Sequence, residues 1–446
     1  MYRLKGNGYA EDNDLSNASW TDTVEICLNK LEKWKGHDEM TIPRSEMSAL
    51  RELEEILQIS ASIRTNDDTP FRRLEQVEYS FRDVVVEIEN DTVVSLSVRY
   101  AALMSLPESI DQLTNLRELD LTGNCLMKLP DALGNLVHLQ KLYLSDNPLG
   151  DLPETLCQLT NLETLHVYDN DLDALPERIG QLTRLKDISI GHNMFTMLPA
   201  SFWQLTNLQV LNLAENRFTS LPESIGDFSD LHTLDLGHNE LEALPESLGK
   251  LTNLTYFLYL SDNSLTTLPD TLFEHMTKLR YLNVTDNNLK SLPENIGNLT
   301  SLIELRLYNN RLATLPASLG NLTQLKELHV MNNRLITLPE ALGKLEQLKE
   351  LRLSNNWLTS LPVSLGALKS LNTLDLRNNR LSTLPESLRV LDNLILLDLR
   401  ANRFTALPAG IGELTRLEKL DLRWNKLSVA PEVLQSLEQR GCVVYL

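Results

Sequence analysis

Leucine recurs along most of this chain in the order LxxLxLxxNxLxxLP, as at Leu116, Leu119, Leu121, Asn124, Leu126, Leu129 and Pro130. The asparagine returns at positions 124, 147, 170, 193, 216, 239, 263, 287, 310, 333, 356, 379, 402 and 425, a step of 23 residues with two steps of 24 around Asn263. A further unit, residues 93–115, opens the series with Ala101 in the asparagine slot. Within LxxLxL, alternate residues face opposite sides of a strand, so the leucines point inward and their neighbours outward. So short a unit cannot bury its leucine face alone, but stacked units bury it between neighbours. The pattern therefore predicts one short parallel strand per unit. The asparagine amides should form a ladder that satisfies buried backbone groups where each strand ends. Fifteen of the 18 prolines occupy the LP slot, from Pro107 to Pro431. Proline fixes φ there and pushes the preceding leucine toward extended geometry. The far side of each unit should thus be extended and loosely helical, with glycine turns such as Gly134, Gly180 and Gly320.

The fold class that results is an α/β solenoid of about 15 repeats, a horseshoe with a parallel concave sheet. Its expected organisation is an N-terminal helical region over residues 1–64, a linker and capping strand over 65–92, the solenoid over 93–439 and a closing strand over 440–446. Trp20, Val24, Cys27, Leu28, Leu31 and Trp34 share one helical face. Ser45 is placed to cap a second helix carrying Met47, Leu50, Leu53 and Leu57. Val84 to Ile88, the turn residues Asn90 and Asp91, and Val93 to Leu96 read as a hairpin whose second strand is that of the first repeat. Its first strand would then cover the sheet edge. The eighth unit has one residue too many before Leu258 and another near Phe273 to Met276, so a bulge is expected in its strand.

Charge narrows the function. With 61 acidic and 41 basic side chains the net charge is −20. That balance disfavours nucleic acid, which asks for a dense cationic surface. It equally disfavours a polybasic membrane patch. No apolar leader opens the sequence and no run of about 18 apolar residues could span a bilayer. The four cysteines lack metal or disulfide spacing. A soluble, cytoplasmic protein is expected. There is no phosphate-loop, dinucleotide, HExxH or GxSxG motif, so no catalytic residue, cofactor or metal is assigned.

What remains is the outward face of the strands. Of 11 tyrosines, six fall there: Tyr100, Tyr143, Tyr168, Tyr259, Tyr281 and Tyr308. The histidines His166, His192, His238 and His329 join them and should also point at solvent. Exposed aromatics with polar tips are enriched at binding surfaces, although ladder packing between strands is the alternative. Charge on this face is polarised. Glu118, Asp120, Asp146, Asp169, Asp187, Glu215, Asp235, Asp262 and Asp286 outnumber Lys141 in the N-terminal part. Toward the C-terminus, Asp375, Asp398 and Asp421 alternate with Arg377, Arg400 and Arg423. Beside them Arg311, Arg334, Trp357, Arg380, Arg403 and Lys426 form a basic ridge. The candidate protein-binding set is Tyr143, Asp146, His166, Tyr168, Asp169, His192, Glu215, His238, Tyr259, Asp262, Tyr281, Asp286 and Tyr308.

These units resemble the intracellular Ras-scaffold leucine-rich proteins and the plant intracellular Ras-group-related proteins, and also repeats of bacterial effectors. The resemblance covers about residues 93–440. It implies a non-catalytic scaffold for signal transduction that binds a protein on the concave face, a small GTPase among the partner classes; the acidic columns themselves call for a basic surface on that partner. A second reading makes the chain a substrate-recognition subunit or effector of a ubiquitin-ligase system, recruiting a catalytic partner through the N-terminal helices.

Overall fold

The computed structural model describes residues 2–5, 42–64, 83–427 and 433–446. The helix expected around Trp20 to Trp34, the linker 65–70 and Pro431 lie outside them. The chain divides into two compact units, Met1–Asn216 and Arg217–Leu446.

In the first unit β1 (Tyr2–Lys5), β2 (Asp83–Glu89) and β3 (Thr92–Arg99) run antiparallel. Strands β4 (Glu118–Asp120), β5 (Lys141–Tyr143), β6 (Thr164–His166), β7 (Asp187–Ser189) and β8 (Val210–Asn212) follow β3 in parallel order. The hairpin expected at Asn90 and Asp91 forms, with left-handed φ of 48° and 62° at those two residues. That is the geometry of a tight turn matched to strand twist. β1 was not foreseen, since residues 1–64 read as helical. It pairs along the outer edge of β2, whose free N–H and C=O groups are a ready template.

The helix Arg44–Arg64 packs its buried Leu50, Leu53 and Leu57 inward. It starts one residue before Ser45, so Ser45 is no cap. Instead buried Glu46 in its first turn accepts the Val93 N–H at 2.9 Å, tying the helix to the first repeat.

The second unit is a run of parallel strands: β9 (Thr233–Asp235), β10 (Phe257–Tyr259), β11 (Tyr281–Asn283), β12 (Glu304–Arg306), β13 (Glu327–His329), β14 (Glu350–Arg352), β15 (Thr373–Asp375), β16 (Leu396–Asp398), β17 (Lys419–Asp421) and β18 (Val443–Tyr445). The expected closing strand is β18, preceded by the helix Val433–Gln439. The extra residue of the eighth repeat makes no bulge in the ladder. Phe257, Leu258 and Tyr259 pair in regular register with both neighbours. The insertion is absorbed before the strand, where Thr255 and Tyr256 both donate to the His232 carbonyl at 3.1 Å and Tyr256 bends outward.

Most described repeats leave their strand, turn at asparagine and return through a short 3-10 segment that opens on proline, as at Pro130 (φ −71°, ψ 148°) before Asp131–Asn135; Ile179–Gln181 starts at Arg178 instead, and the residues after Pro269 form turns. Gly134, Gly180 and Gly320 lie within these segments without left-handed φ. A Cβ there would sit 2.5, 2.3 and 2.4 Å from carbonyl oxygens of Thr155, Ser201 and Ala341 in the next repeat. Glycine is thus required by close stacking of repeats, not by a turn.

The asparagine ladder forms. Asn310 accepts the Leu289 N–H at 3.0 Å and donates to the Val284 and Leu307 carbonyls at 2.8 and 3.2 Å. One buried carboxamide thereby satisfies three backbone groups in two repeats. Removing it leaves buried groups unpaired, each costing about 1–3 kcal/mol. Asn310→Ala should destabilise the chain by about 3 kcal/mol, read as a lower urea midpoint. Asn309→Gly, one residue earlier and half-exposed, should change stability by less than about 1 kcal/mol.

Candidate functional site

The residue before each ladder asparagine, and before Ala101 in the first repeat, takes left-handed φ. In the first unit these are Tyr100, Gly123, Asp146, Asp169, His192 and Glu215. In the second they are His238, Asp262, Asp286, Asn309, Asn332, Asn355, Asn378, Ala401 and Trp424. Asp, Asn and Gly tolerate this region best. Four of the aspartates read from the sequence as a charged face, Asp146, Asp169, Asp262 and Asp286, therefore also serve the backbone. Two more, Asp120 and Asp235, close the strand exit by accepting N–H groups two residues on, at 3.1 Å from Thr122 and 2.9 Å from Gly237.

None of the thirteen sequence-assigned binding residues is buried. They fall into two groups, one in each unit. In the first unit Tyr143 packs edge-on against His166, with ring centroids 5.2 Å apart, and His166 Nε2 lies 3.1 Å from Asp187 Oδ1. Further along, Tyr168 donates its hydroxyl hydrogen bond to Glu215 Oε1 at 2.7 Å. His192 Nδ1 sits 2.9 Å from Asp169 Oδ1. The Tyr100 hydroxyl reaches Asp146 Oδ2 at 3.5 Å. The Tyr100 ring also covers Gly123, where any Cβ would meet it at 2.1 Å. Burial and then the neighbouring Asp169 push the Asp146 carboxyl above the usual range. Burial, and next the Glu215 hydrogen bond, push the Tyr168 hydroxyl up.

In the second unit the rings of Tyr259 and Tyr281 lie 5.1 Å apart on adjacent strands. Sequence reading placed Phe257 and Tyr256 outside the binding set, yet both join this cluster. Phe257 stacks on Tyr259 at 5.5 Å and meets Tyr281 at 5.8 Å, while Tyr256 abuts Phe257 at 6.4 Å. Their exposures are 49% for Tyr256 and 39% for Phe257. The inserted residue is what turns Tyr256 out, and the odd length of this unit was the signal. The Arg306 guanidinium lies over Tyr281, 5.4 Å from its centroid. Nearby, exposed His238 and Asp262 pair at 2.6 Å. Asp286 and Tyr308 occupy half-exposed turn positions. Asp286 accepts from Asn309 at 2.6 Å and starts an outer amide ladder, Asn332 to Asn309 at 2.5 Å, Asn355 to Asn332 at 2.6 Å and Asn378 to Asn355 at 2.7 Å.

The ridge residues Arg311, Arg334, Arg380 and Arg403 are exposed, and Arg380 stacks on Trp357 at 5.0 Å. The C-terminal Asp and Arg columns neutralise one another. Arg400 Nε contacts Asp398 Oδ1 at 2.9 Å and Asp421 Oδ2 at 3.4 Å, and Arg423 reaches Asp421 Oδ2 at 2.6 Å. One histidine departs from the outward expectation: His329 is only 9% exposed. Arg306 and Arg352 stand beside it in register on β12 and β14.

A family model of the leucine-rich repeat region matches residues 93–198, 197–279, 272–356 and 339–439. The chain belongs to the leucine-rich-repeat family, whose repeats typically form non-catalytic protein-interaction solenoids. Among solved structures, a leucine-rich-repeat protein of Leptospira interrogans is 34% identical over 77% of this chain and 82% of that one, with a TM-score of 0.66. An internalin from Listeria monocytogenes is 26% identical over 76% and 87%, with a TM-score of 0.56. A chain of the Toll–Spätzle complex from Drosophila is 25% identical over 76% and 52%, with a TM-score of 0.63. Comparison with curated proteins finds no significant match. Among the described residues no helix is long and apolar enough to cross a membrane.

A carboxyl raised above its unfolded pKa binds protons more tightly when folded. Such a group costs stability as pH rises through the ordinary carboxylate range. Asp146→Asn should therefore raise the melting temperature at pH 7, and the gain should vanish below about pH 4. Melting curves of both proteins across that range check the sign.

Proposed function

We propose that this chain is a non-catalytic scaffold that captures a protein partner through a basic segment laid on the open sheet face of the second unit. The observation that supports this most is the cluster of Tyr256, Phe257, Tyr259 and Tyr281, four rings on neighbouring positions with two of them well exposed. Large rigid rings in one patch give contact area at low entropic cost. Arg306 over Tyr281 supports the idea that these ring faces take a guanidinium. The surrounding acids and the net charge of −20 favour a cationic partner and speed its approach. In the first unit, Asp169, His192, Glu215 and Tyr168 offer similar chemistry on their own sheet face. The exposed ridge of Arg311, Arg334, Arg380 and Arg403 would orient an acidic part of the same partner.

A small GTPase, a signalling role and a cytoplasmic location are finer parts of this proposal, drawn from the resemblance to Ras-group repeats. The Toll relative, solved together with Spätzle, supports partner binding by this type of repeat. The ubiquitin-ligase alternative leans on the N-terminal helices. The helix Arg44–Arg64 already buries Leu50, Leu53 and Leu57, which leaves that face less free for recruitment.

The test is affinity capture by the immobilised full chain from its native cell, compared with the double variant Phe257→Ala/Tyr281→Ala. Capture should weaken by about 2 kcal/mol or more if these rings are the hot spot. Val363→Ala, at an exposed position of the opposite helical side, should leave it unchanged. Equal capture by the double variant and the parent would remove this face from consideration.

A further inference from the structure

Three glutamates stand side by side in register on β12, β13 and β14: Glu304, Glu327 and Glu350. Two residues along the same strands stand Arg306, His329 and Arg352, also in register. The outer columns are self-compensating. Arg306 Nε contacts Glu304 Oε1 at 2.5 Å, and Arg352 Nε contacts Glu350 Oε1. The central column has a glutamate and a histidine and no cation of its own.

His329 is 9% exposed as a residue and 11% in its side chain, and its buried Nε2 has no hydrogen-bond partner. That nitrogen points into the carboxylates, 3.6 Å from Glu327 Oε2 and 3.7 Å from Glu350 Oε1. Both distances are too long for a hydrogen bond. A buried polar nitrogen left open calls for an explanation. If Nε2 carries hydrogen, its bond is unmade; if it carries a lone pair, that pair faces two anions. A positive centre between them satisfies the second arrangement.

The geometry points to a divalent transition-metal site of the zinc class, with His329 Nε2, Glu327 and Glu304 as its ligands. One donor atom from each of these three residues lies within 4.8 Å of the others, so small side-chain adjustments bring them to bonding distance. Glu304 can keep Arg306 on one oxygen and offer the other. An imidazole nitrogen in the set selects a borderline metal over calcium or magnesium, which prefer oxygen alone.

The electrostatics agree. Burial holds the His329 imidazole below its ordinary pKa, so it is neutral near pH 7, as a ligand must be. Burial, then Glu304 and Glu350, push the Glu327 carboxyl up, and a cation would relieve that crowding. Three carboxylates and two guanidiniums leave a formal −1 before the metal arrives. The Glu327 side chain is 41% exposed, so the metal can enter from the sheet face and keep one coordination position open. This inference does not depend on the identity of any protein partner.

The experiment is zinc titration of the metal-stripped full chain by calorimetry and by competition with a chromophoric chelator. The parent should take up zinc at this site, with a rise in melting temperature. His329→Gln and Glu327→Gln should each weaken that uptake by about 100-fold and abolish the thermal shift. Far-ultraviolet dichroism of both variants confirms that they fold. His138→Ala, at an exposed histidine outside this face, should behave as the parent. Arg352→Gln, which frees Glu350, should tighten binding, an effect no general loss of structure produces. Failure of the parent to bind micromolar zinc would overturn the site. So would undiminished binding by both His329→Gln and Glu327→Gln, whose uptake would then belong to other surface groups.

Discussion

A strand that ends against a leucine-lined interior exposes carbonyls and N–H groups to surroundings that cannot solvate them. A buried asparagine carboxamide resolves this at each turn from Asn124 to Asn402, and the rest of the fold accommodates it. The irregular eighth repeat, with its two inserted residues, shows the priority. Despite steps of 24 residues, Asn263 still accepts the Leu241 N–H at 2.9 Å and Asn287 the Leu265 N–H at 3.0 Å. The added residues are accommodated elsewhere, at Tyr256 and in the return segment. An insertion inside the ladder would orphan several buried groups at about 1–3 kcal/mol each. An insertion outside it costs little, and can turn an aromatic side chain outward.

The same constraint decides what a sequence reader sees. Leucine spacing, the asparagine ladder, the proline slot and the hairpin at Asn90 and Asp91 are local and periodic, so they are legible. β1 is not, because its pairing partner lies some 80 residues away and only the free edge of β2 selects it. The left-handed column carried a signal in plain view. Gly123, Asp146, Asp169, Asp262, Asp286, Asn309, Asn332, Asn355 and Asn378 are the residue types that accept positive φ. Reading them by charge alone concealed the backbone demand. His329 was misplaced for another reason. A position two residues past a glutamate on a strand reads as outward, but its burial depends on neighbouring strands that lie 23 residues away on either side.

The left-handed column links backbone strain to display. Where it carries Asn, as from Asn309 to Asn378, the conformation is comfortable and the amides bond one another. Tyr100, Glu215, Ala401 and Trp424 hold the same φ at a cost of about 1–3 kcal/mol each for an ill-suited side chain. Two of these four also make side-chain contacts on the sheet face: Glu215 accepts the Tyr168 hydroxyl and Tyr100 reaches Asp146.

Parallel, in-register stacking places every residue about 4.8 Å from its counterparts in the neighbouring strands. Repetition of a charged residue is then repetition of a like-charge contact, and each column must find compensation. At the C-terminal end the answer is a second column of opposite sign, in which Arg400 bridges Asp398 and Asp421. Across β12 to β14 the same device is interrupted, because histidine stands where arginine would complete the row. A neutral imidazole cannot balance Glu327, and burial keeps it neutral. The interruption leaves one uncompensated carboxylate beside one unpartnered nitrogen, on a scaffold that holds its neighbours fixed. A protein needing only stability would have repeated the arginine. The substitution is therefore the feature of this face that asks most directly for a ligand.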